Sequence, residues 1–293
     1  MSDFATRLTD GVRRHGPLCV GIDPHAGMVP ALFGGDTARG LEYWGRALVE
    51  AAAGKVAVVK PQVGFFERLG PGGMAALAAV TRAAREAGLL VLMDAKRGDI
   101  GSTAEGYAEA FLAKGAFFEA DAVTVNPYMG LDTLEPFAMR AEANGKGIVV
   151  LVRTSNPGAA DFQMLDTGGQ PLYMRIAEAL RPLTDRLMSP CGWSNLMMVV
   201  GATAPEEARR IRAAAPKALF LVPGYGAQGA VPLDAMAGLA QCGNHVEGGV
   251  ISASRSVNFP AAAASAASVE AWQTAIALAI DTAKMELAQA ATA

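Results

Sequence analysis

The stretch at residues 89–103 reads LLVLMDAKRGDIGST, and it passes from an apolar run to a cluster of charges. The run at 89–93 is apolar throughout, which is typical of a parallel strand that is covered on both faces. Charged residues follow at 94–99, and Ser102 and Thr103 fall where the pattern predicts the first turn of a helix. The stretch therefore predicts a unit made of a strand, a charged loop and a helix.

The same unit recurs along the whole chain. Seven further apolar runs lie at 18–22, 55–59, 121–125, 147–152, 196–200, 218–222 and 248–252. Stretches with helical spacing separate them, and one begins with the capping-box pattern of Thr203 and Glu206, with Pro205 near the first turn. Parallel strands need crossover helices, and closure removes exposed sheet edges. We therefore predict an α/β fold, a closed (β/α)8 TIM barrel, with a doubly wound open sheet as the alternative.

Outside these units, the sequence predicts an extra N-terminal helix. Phe4, Leu8 and Val12 form an apolar stripe with helical spacing ahead of the first strand. The long connections lie at 153–170, 187–195 and 223–245. No composition shift or Pro/Ser-rich linker divides the chain, so residues 1–293 are predicted to form a single barrel domain with elaborated loops.

Composition argues against several functional classes. The net charge is −3 and no basic block occurs, so neither nucleic acid nor a membrane surface is an expected partner. Cys19, Cys191 and Cys242 lack the spacing of a disulfide framework or a cysteine zinc site. No apolar stretch has signal-peptide or membrane-spanning character. These features favour a cytoplasmic protein.

Polar residues collect where the predicted strands end, which is the edge at which such barrels carry their active sites. They are Asp23, Lys60, Asp94, Lys96, Asn126, Arg153 to Asn156 and Ser252 to Arg255. Any one of them could be an ordinary solvated loop residue. Because they converge on one rim, we predict a catalytic site there.

The most specific local feature is the segment that begins at Asp94. Asp94 and Lys96 are two residues apart, so in an extended segment their side chains point to the same side. Lys60 ends the neighbouring strand, and the three side chains could form an alternating array of charges. A structural ion pair is the alternative interpretation.

A second feature points to an anion site. Residues 223–229 read PGYGAQG after the seventh strand, and residues 252–255 read SASR after the eighth. Loops at these two positions often bind phosphate through backbone N–H groups, and Arg255 and Gln228 could add donors. We regard 223–245 as a candidate lid. The alternative is a glycine-rich turn beside a surface arginine.

The remaining histidines and aromatic residues carry little functional signal. His15, His25 and His245 have no spacing that suggests a metal site, and none is predicted. The aromatic residues expected to be packing groups are Trp44, Phe65, Phe66 and Tyr107.

Several motifs, taken in order along the chain, resemble the orotidine 5'-phosphate decarboxylase family, in particular its longer bacterial subgroup. They are Gly21-Ile-Asp23-Pro, Val59-Lys60-Pro-Gln, Asp94 to Thr103, Val125-Asn-Pro-Tyr-Met-Gly130, Arg153-Thr-Ser-Asn-Pro-Gly158, Pro223 to Gly229 and Ser254-Arg255. The resemblance implies a lyase of pyrimidine biosynthesis that converts orotidine 5'-monophosphate to uridine 5'-monophosphate (UMP) and CO2 without a cofactor or metal. The sequence departs most from the shorter members of the family in the long loop 159–195, where this chain is longer.

The resemblance also implies roles for particular residues. Lys96 would stabilise a carbanion at C6 of the pyrimidine and then protonate it, while Asp94 would lie near the departing carboxylate. Asp99 would reach into the active site of the other subunit of a homodimer with shared sites. The further residues expected to meet the substrate are Asp23 and Lys60 at the ribose, Ser155 at the pyrimidine, Gln228 and Arg255 at the phosphate, and Thr103 from the partner subunit.

Three alternatives remain open at this point. A related sugar-phosphate decarboxylase or aldol-type synthase would use Mg²⁺, but such enzymes usually carry an acidic ligand where Lys60 stands, and a lysine would repel the metal. Schiff-base chemistry at Lys96 or Lys60 needs a neutral lysine, whereas Asp94 and Asp99 favour a charged one. A non-catalytic phosphate-binding protein on the same scaffold is the third alternative.

Overall fold

Eight parallel strands close into a barrel in the computed structural model, which describes residues 2–226, 229–243 and 245–292. The barrel strands are β1 Leu18–Ile22, β2 Val58–Pro61, β3 Leu90–Arg97, β4 Ala122–Val125, β5 Gly147–Arg153, β6 Leu196–Val200, β7 Leu219–Val222 and β10 Gly249–Ala253. Strands that follow one another pair side by side, and β1 pairs with both β2 and β10, which closes the ring. The predicted (β/α)8 barrel is confirmed. A short antiparallel hairpin, β8 Ala240–Cys242 and β9 His245–Glu247, precedes the last barrel strand.

Helices surround this barrel and fill the connections. Those before β5 are α1 Phe4–His15, α2 Ala38–Ala52, α3 Val63–Glu67, α4 Gly70–Glu86, α5 Gly101–Leu112 and α6 Glu135–Asn144. Those after β5 are α7 Ala159–Phe162, α8 Leu172–Ala179, α9 Arg181–Arg186, α10 Pro205–Ala214, α11 Pro232–Met236, α12 Arg255–Asn258, α13 Ala261–Ala264 and α14 Val269–Ala290. Short 3-10 helices cover Ala31–Phe33 and Leu131–Leu134. Of the helices described, none has the length and apolar character needed to cross a membrane.

The strands are apolar on both faces because the barrel buries both. Val20, Val59 and Ile251 belong to the outer apolar layer, which packs against the helices. Residues at alternate positions face the interior, and they are apolar toward the N-terminal ends of the strands, as at Val58 and Leu92. The interior is therefore a packed core at one end, and polar side chains are left for the other end.

Helix α1 closes the apolar end of the barrel, as predicted. Phe4, Leu8 and Val12 are buried in the same cluster as the interior strand residues. The backbone N–H of Ala5 donates to Oδ1 of Asn195 at 2.8 Å, just before β6 begins. This helix lies at the N-terminal ends of the strands and leaves the opposite end open.

Two strand boundaries differ from the sequence prediction. The run at 55–59 becomes a strand only from Val58, and the strand then continues through Lys60. The run at 89–93 extends to Arg97, so that Asp94 and Lys96 lie within β3 and do not follow it. Polar side chains can remain in a strand here because the interior of the barrel is polar at this end.

The capping-box prediction at Thr203 is wrong. Ala204 is the residue that precedes α10, and no side chain caps this helix. The Oγ1 of Thr203 instead donates to the carbonyl oxygen of Ser155 at 3.2 Å. A tertiary contact has taken the hydroxyl that the local pattern assigned to the helix.

The long connections contain secondary structure of their own. The connection 153–170 includes α7, and the connection 223–245 includes α11 and β8. Strand β9 contacts α1, and Nε of Arg13 donates to Oε1 of Glu247 at 2.7 Å. Because α1 lies at the closed end, the end of the connection 223–245 approaches the closed end of the barrel and not the open end.

Candidate active site

A cavity of about 580 Å³ opens at the C-terminal ends of the barrel strands. Its polar lining consists of Asp23, His25, Lys60, Gln62, Asp94, Lys96, Thr124, Thr154, Ser155, Asn156, Ser252, Ser254 and Arg255. Most of these residues were predicted from their positions at the strand ends. The structure therefore brings residues from six strands or strand ends into one chamber.

The strand pleat explains why charges face this cavity. Val58 lies in the apolar interior and Lys60 lies two residues further along β2. Leu92 and Asp94 stand in the same relation on β3. Since side chains two residues apart in a strand share a face, each charged residue continues an inward row that begins in the core.

Four of these side chains form an alternating array of charges, which we call the charge array: Asp23, Lys60, Asp94 and Lys96. Nζ of Lys60 lies 3.1 Å from Oδ2 of Asp94 and 3.7 Å from Oδ1 of Asp23. Nζ of Lys96 lies 2.6 Å from Oδ1 of Asp94. Asp94 thus lies between two ammonium groups, and Lys60 lies between two carboxylates.

The array holds Asp94 and Lys60 in the charged state. Burial by itself raises the pKa of Asp94, but Lys60 and Lys96 outweigh it and lower that pKa to about 2. Burial by itself lowers the pKa of Lys60, but Asp23 and Asp94 bring it above its usual value. Asp94 is therefore an anion and Lys60 a cation at neutral pH.

Lys96 has an unusual backbone conformation. Its φ is +47°, and among the described residues it is the one non-glycine residue with a positive φ. The pairing of β3 with β4 shifts register between Met93 and Arg97, which indicates a bulge at this point. A left-handed backbone costs energy for a residue with a Cβ, and such strain tends to lie at functional sites. Here it accompanies the turn that brings Nζ of Lys96 to Asp94.

Sequence reasoning missed two residues that hold Asp94 and Lys96. Oγ1 of Thr124 on β4 donates to Oδ1 of Asp94 at 3.1 Å and accepts from the backbone N–H of Lys96 at 2.8 Å. Nε2 of Gln62 donates to Oδ2 of Asp94 at 2.9 Å. Both could have been found from the period-two pattern, because Gln62 lies two residues after Lys60 and Thr124 is a polar residue inside an apolar run.

Asp23 has an acceptor that is still available. Its Oδ1 is buried and lies 3.7 Å from Nζ of Lys60, and no donor among the described residues comes within hydrogen-bond distance of it. A buried, unsatisfied carboxylate oxygen is costly unless a ligand supplies the donor. Asp23 is therefore prepared to receive a hydroxyl or amine group in the cavity.

The loop that carries Ser155 is held from two sides. Oε1 of Gln163 accepts from the backbone N–H of Thr154 at 2.8 Å, and Nε2 of Gln163 donates to Oγ1 of Thr154 at 2.8 Å. On the other side, Gly201 lies so close that an added Cβ would come within 2.8 Å of Cα of Ser155. These contacts fix the backbone at Ser155 at the edge of the cavity.

A family model described as "Orotidine 5'-phosphate decarboxylase / HUMPS family" matches residues 16–268. The chain belongs to the orotidine 5'-phosphate decarboxylase / HUMPS family. The family resemblance expected from the sequence motifs is therefore confirmed.

Relatives and solved structures agree with this assignment to the orotidine 5'-phosphate decarboxylase / HUMPS family. A protein of Rhodopirellula baltica named orotidine 5'-phosphate decarboxylase is 39% identical over 272 residues, covering 88% of this chain and 89% of the relative. A protein of the same name from Salinispora arenicola is 44% identical over 235 residues, covering 80% of this chain and 83% of the relative. The crystal structure of a protein from Streptomyces avermitilis superimposes on this chain with a TM-score of 0.82 at 37% identity, covering 100% of this chain and 97% of that chain.

Two residues that the family resemblance assigns to the site lie away from the cavity. Asp99 and Thr103 are not among the described residues that line it. Oδ1 of Asp99 accepts from the backbone N–H of Ile100 at 2.9 Å, and Thr103 is exposed in the first turn of α5. Asn126, which was predicted from its position at a strand end, is also not among the residues that line the cavity. Its Oδ1 accepts from the backbone N–H of Tyr128 at 3.0 Å.

The predicted phosphate site is described in part. Arg255 is an exposed residue at the cavity edge, and Pro223, Gly224 and Tyr225 line the same cavity. Gln228, which the family resemblance assigns to the phosphate, lies outside the described residues. The structure places the loops after β7 and β10 side by side at this edge.

His25 carries no functional signal in the sequence, and the structure places it at the cavity. It lines the cavity, and its ring meets Phe65 edge to face with centroids 4.5 Å apart. Burial lowers the pKa of His25, with Asp23 opposing and Arg255 adding to this shift. Phe65, expected in the core, lines the cavity as well. No local spacing signals His25, because it lies in the irregular segment after β1, whereas Phe65 lies in α3.

Proposed function

We propose that the protein is an orotidine 5'-phosphate decarboxylase, a carboxy-lyase that converts orotidine 5'-monophosphate to UMP and CO2 in de novo pyrimidine biosynthesis. The observation that carries the proposal is the charge array, in which Nζ of Lys96 lies 2.6 Å from Oδ1 of Asp94 and both residues line the cavity. Membership of the orotidine 5'-phosphate decarboxylase / HUMPS family supports the same conclusion.

The reaction needs a positive charge at one atom. The bond between C6 and the carboxylate carbon breaks, CO2 leaves, and the electron pair stays on C6 in an orbital that the ring π-system cannot delocalise. The Lys96 ammonium would stabilise this carbanion by its charge and then donate a proton from Nζ to C6. Lys96 regains its proton from solvent, so atoms and charge balance over a turnover.

Asp94 has two roles in this proposal. Its carboxylate orients Lys96 through the 2.6 Å contact. It is an anion at neutral pH, and it would lie near the substrate carboxylate, where repulsion favours release of CO2. We assign the larger share of the rate to Lys96, because a fixed cation acts directly where charge develops.

The other lining residues would bind the rest of the nucleotide. Asp23, with its buried free acceptor, and Lys60 would bind the ribose hydroxyls. Ser155 would contact the pyrimidine, and Arg255 and Gln228 would bind the 5'-phosphate, with Arg255 able to form a bidentate, permanently charged contact. Phosphate binding remote from C6 can contribute to the rate by organising the loops around the substrate.

We propose that the reaction uses neither a cofactor nor a metal ion. The array places Nζ of Lys60 between the carboxylates of Asp23 and Asp94, at 3.7 Å and 3.1 Å. A divalent cation that used these carboxylates would meet the Lys60 ammonium and be repelled. The charge that stabilises the carbanion is therefore assigned to lysine.

We further propose a cytoplasmic homodimer in which the whole chain acts as one barrel domain. Ile100, next to Asp99, is 61% exposed, and Tyr128 is 90% exposed on the segment 126–129, which lies against Gly98. Exposed apolar groups of this size favour burial against a partner. A second copy of the chain would cover them and could bring Asp99 and Thr103 to its own cavity.

The experiment that tests the proposed activity is direct. Purified protein is mixed with orotidine 5'-monophosphate, and the loss of its ultraviolet absorbance is followed, with UMP identified by chromatography. We expect turnover to UMP with release of one CO2 per substrate. Binding of the nucleotide without turnover would mean a phosphate-binding protein on the same scaffold and would overturn the proposal.

A further inference from the structure

The loop after β7 is held by a few backbone hydrogen bonds: the N–H of Ala202 donates to the carbonyl oxygen of Pro223 at 2.8 Å, and the N–H of Gly226 donates to that of Ala230 at 3.3 Å. We call residues 223–226 the phosphate loop. Gly224 has φ +101° and Gly226 has φ +74°, so that Tyr225 is flanked on both sides by glycines in the left-handed region. Glycine gives a chain more freedom than any other residue, and this freedom must be restrained in an ordered loop. Tyr225 is the side chain between them that can supply the restraint.

Tyr225 is fixed by a contact with the last helix. Its side chain is 6% exposed, and its Oη donates a hydrogen bond to Oε2 of Glu286 on α14. Burial, together with the contact to Glu286, raises the pKa of Tyr225, so the phenol keeps its proton and remains a donor. A hydrogen bond to a carboxylate is charge-assisted and stronger than a neutral one. The loop is thus tied to α14 through a single side chain.

The position of Tyr225 explains why this tie matters for the active site. Tyr225 lines the active-site cavity and also a second cavity of about 580 Å³ that lies against α14. The second cavity is lined by apolar groups such as Val231 and Leu278, and it offers room for the ring to move if its hydroxyl is released. A Cβ added at Gly226 would lie 3.5 Å from Oγ of Ser256. Since Ser256 directly follows Arg255, the phosphate loop lies beside the segment that carries Arg255. Movement of the Tyr225 ring would therefore carry the phosphate loop away from Arg255, which is predicted to bind the phosphate.

We propose that Tyr225 and Glu286 are positioning residues that hold the phosphate loop in the shape that receives the 5'-phosphate of the substrate. Glu286 acts through Tyr225 and does not touch the substrate. The proposal rests on the proposed decarboxylase function, and it adds to that function a residue of α14 that supports phosphate recognition. A loop organised in advance binds with a smaller loss of entropy, and its binding energy can then contribute to the rate.

The test compares two substrates that differ by the phosphate alone. We measure kcat/KM for orotidine 5'-monophosphate and for orotidine with the wild type, Tyr225→Phe, Glu286→Gln and the double variant. We expect each single variant to lose about tenfold with the phosphorylated substrate and to change less than about twofold with orotidine. Both substitutions remove the same hydrogen bond, the one between Tyr225 and Glu286. The double variant is therefore expected to lose no more kcat/KM than either single variant.

Glu270→Gln is the matched control, because it neutralises an exposed carboxylate on the same helix. It should leave kcat/KM unchanged for both substrates. Thermal unfolding checks that each variant is folded. Equal losses with both substrates, additive losses in the double variant, or no loss at all would overturn the positioning role.

A binding measurement separates this inference from the proposed activity. Calorimetry with UMP is expected to show about tenfold weaker binding to Glu286→Gln than to the wild type. If the wild type binds UMP but does not decarboxylate orotidine 5'-monophosphate, the proposed function fails, while this comparison still decides the positioning role. Unchanged UMP affinity in Glu286→Gln would overturn it.

Discussion

Oγ1 of Thr124 donates to Oδ1 of Asp94 at 3.1 Å, so a side chain on the neighbouring strand holds the carboxylate at the centre of the charge array. The same oxygen accepts from the backbone N–H of Lys96 at 2.8 Å. Thr124→Val keeps the shape and removes both bonds. We expect kcat/KM for orotidine 5'-monophosphate to fall by about 10- to 100-fold, because a hydrogen bond to a charged group is lost where geometry matters.

Thr81→Val is the matched control for this change. Thr81 is buried in α4, and its Oγ1 has no hydrogen-bond partner among the described residues. The same substitution there should leave activity unchanged and alter the free energy of unfolding by no more than about 1 kcal/mol. If Thr124→Val retained wild-type kcat/KM, the array would not depend on β4.

Removal of the Lys96 ammonium is expected to have the largest effect on the reaction. In Lys96→Ala, the group that stabilises the carbanion and the proton donor are both lost, so kcat should fall by on the order of 10⁴-fold or more. Gln228→Ala should cost less, about tenfold and mainly in KM, since it removes one predicted phosphate contact. Steady-state kinetics distinguish the two, and thermal unfolding checks that both variants are folded. A Lys96→Ala enzyme within tenfold of wild type would refute the proposed mechanism.

The sequence predicted what depends on periodicity, and it failed where tertiary contacts decide. Strand ends, the inward alternation and the closeness of Lys60 to Asp94 follow from period two in a closed barrel, and they were predicted. The left-handed backbone of Lys96 has no local signal, because it depends on a bulge against β4. Thr203 fits a helix cap in the sequence, yet its hydroxyl bonds to the Ser155 carbonyl, since the fold brings that acceptor near.

Removal of divalent cations should leave the activity unchanged. Lys60 lies between the carboxylates of Asp23 and Asp94, where its charge disfavours a second cation. Exhaustive treatment with EDTA is expected to preserve kcat/KM, and added Mg²⁺ is expected not to raise it. The measurement is the ultraviolet assay before and after chelation. Strict dependence on Mg²⁺ would favour the sugar-phosphate type of chemistry instead.

A buried carboxylate at the closed end of the barrel should govern part of the acid stability. Glu247 accepts hydrogen bonds from Nε of Arg13 at 2.7 Å and Nε1 of Trp193 at 3.0 Å. Burial opposes ionisation of Glu247, but these bonds and the contact with His245 outweigh it and lower the pKa from 4.5 to about 2. The ionised form therefore stabilises the fold fully above pH 4.5, and this stability is lost as the pH falls toward 2.

Glu247→Gln removes that charge. We expect the free energy of unfolding at pH 7 to fall by about 2 kcal/mol, and the difference from wild type to shrink steadily below pH 4.5. Urea denaturation at several pH values measures it, and Glu86→Gln, an exposed carboxylate on α4, is the control. Activity should be preserved, because Glu247 lies at the opposite end from the cavity. A difference that did not depend on pH would contradict the assignment.

Sharing of active sites between subunits can be tested by mixing two inactive proteins. Lys96→Ala and Asp99→Ala should each be inactive alone, because each site would need Lys96 from one subunit and Asp99 from the other. In a mixed dimer, one of the two sites regains both residues, so random exchange is expected to restore about a quarter of the sites. The assay follows kcat after the proteins are mixed under conditions that allow subunit exchange. Failure to recover any activity, with exchange confirmed by labelled subunits, would show that Asp99 does not act across the interface.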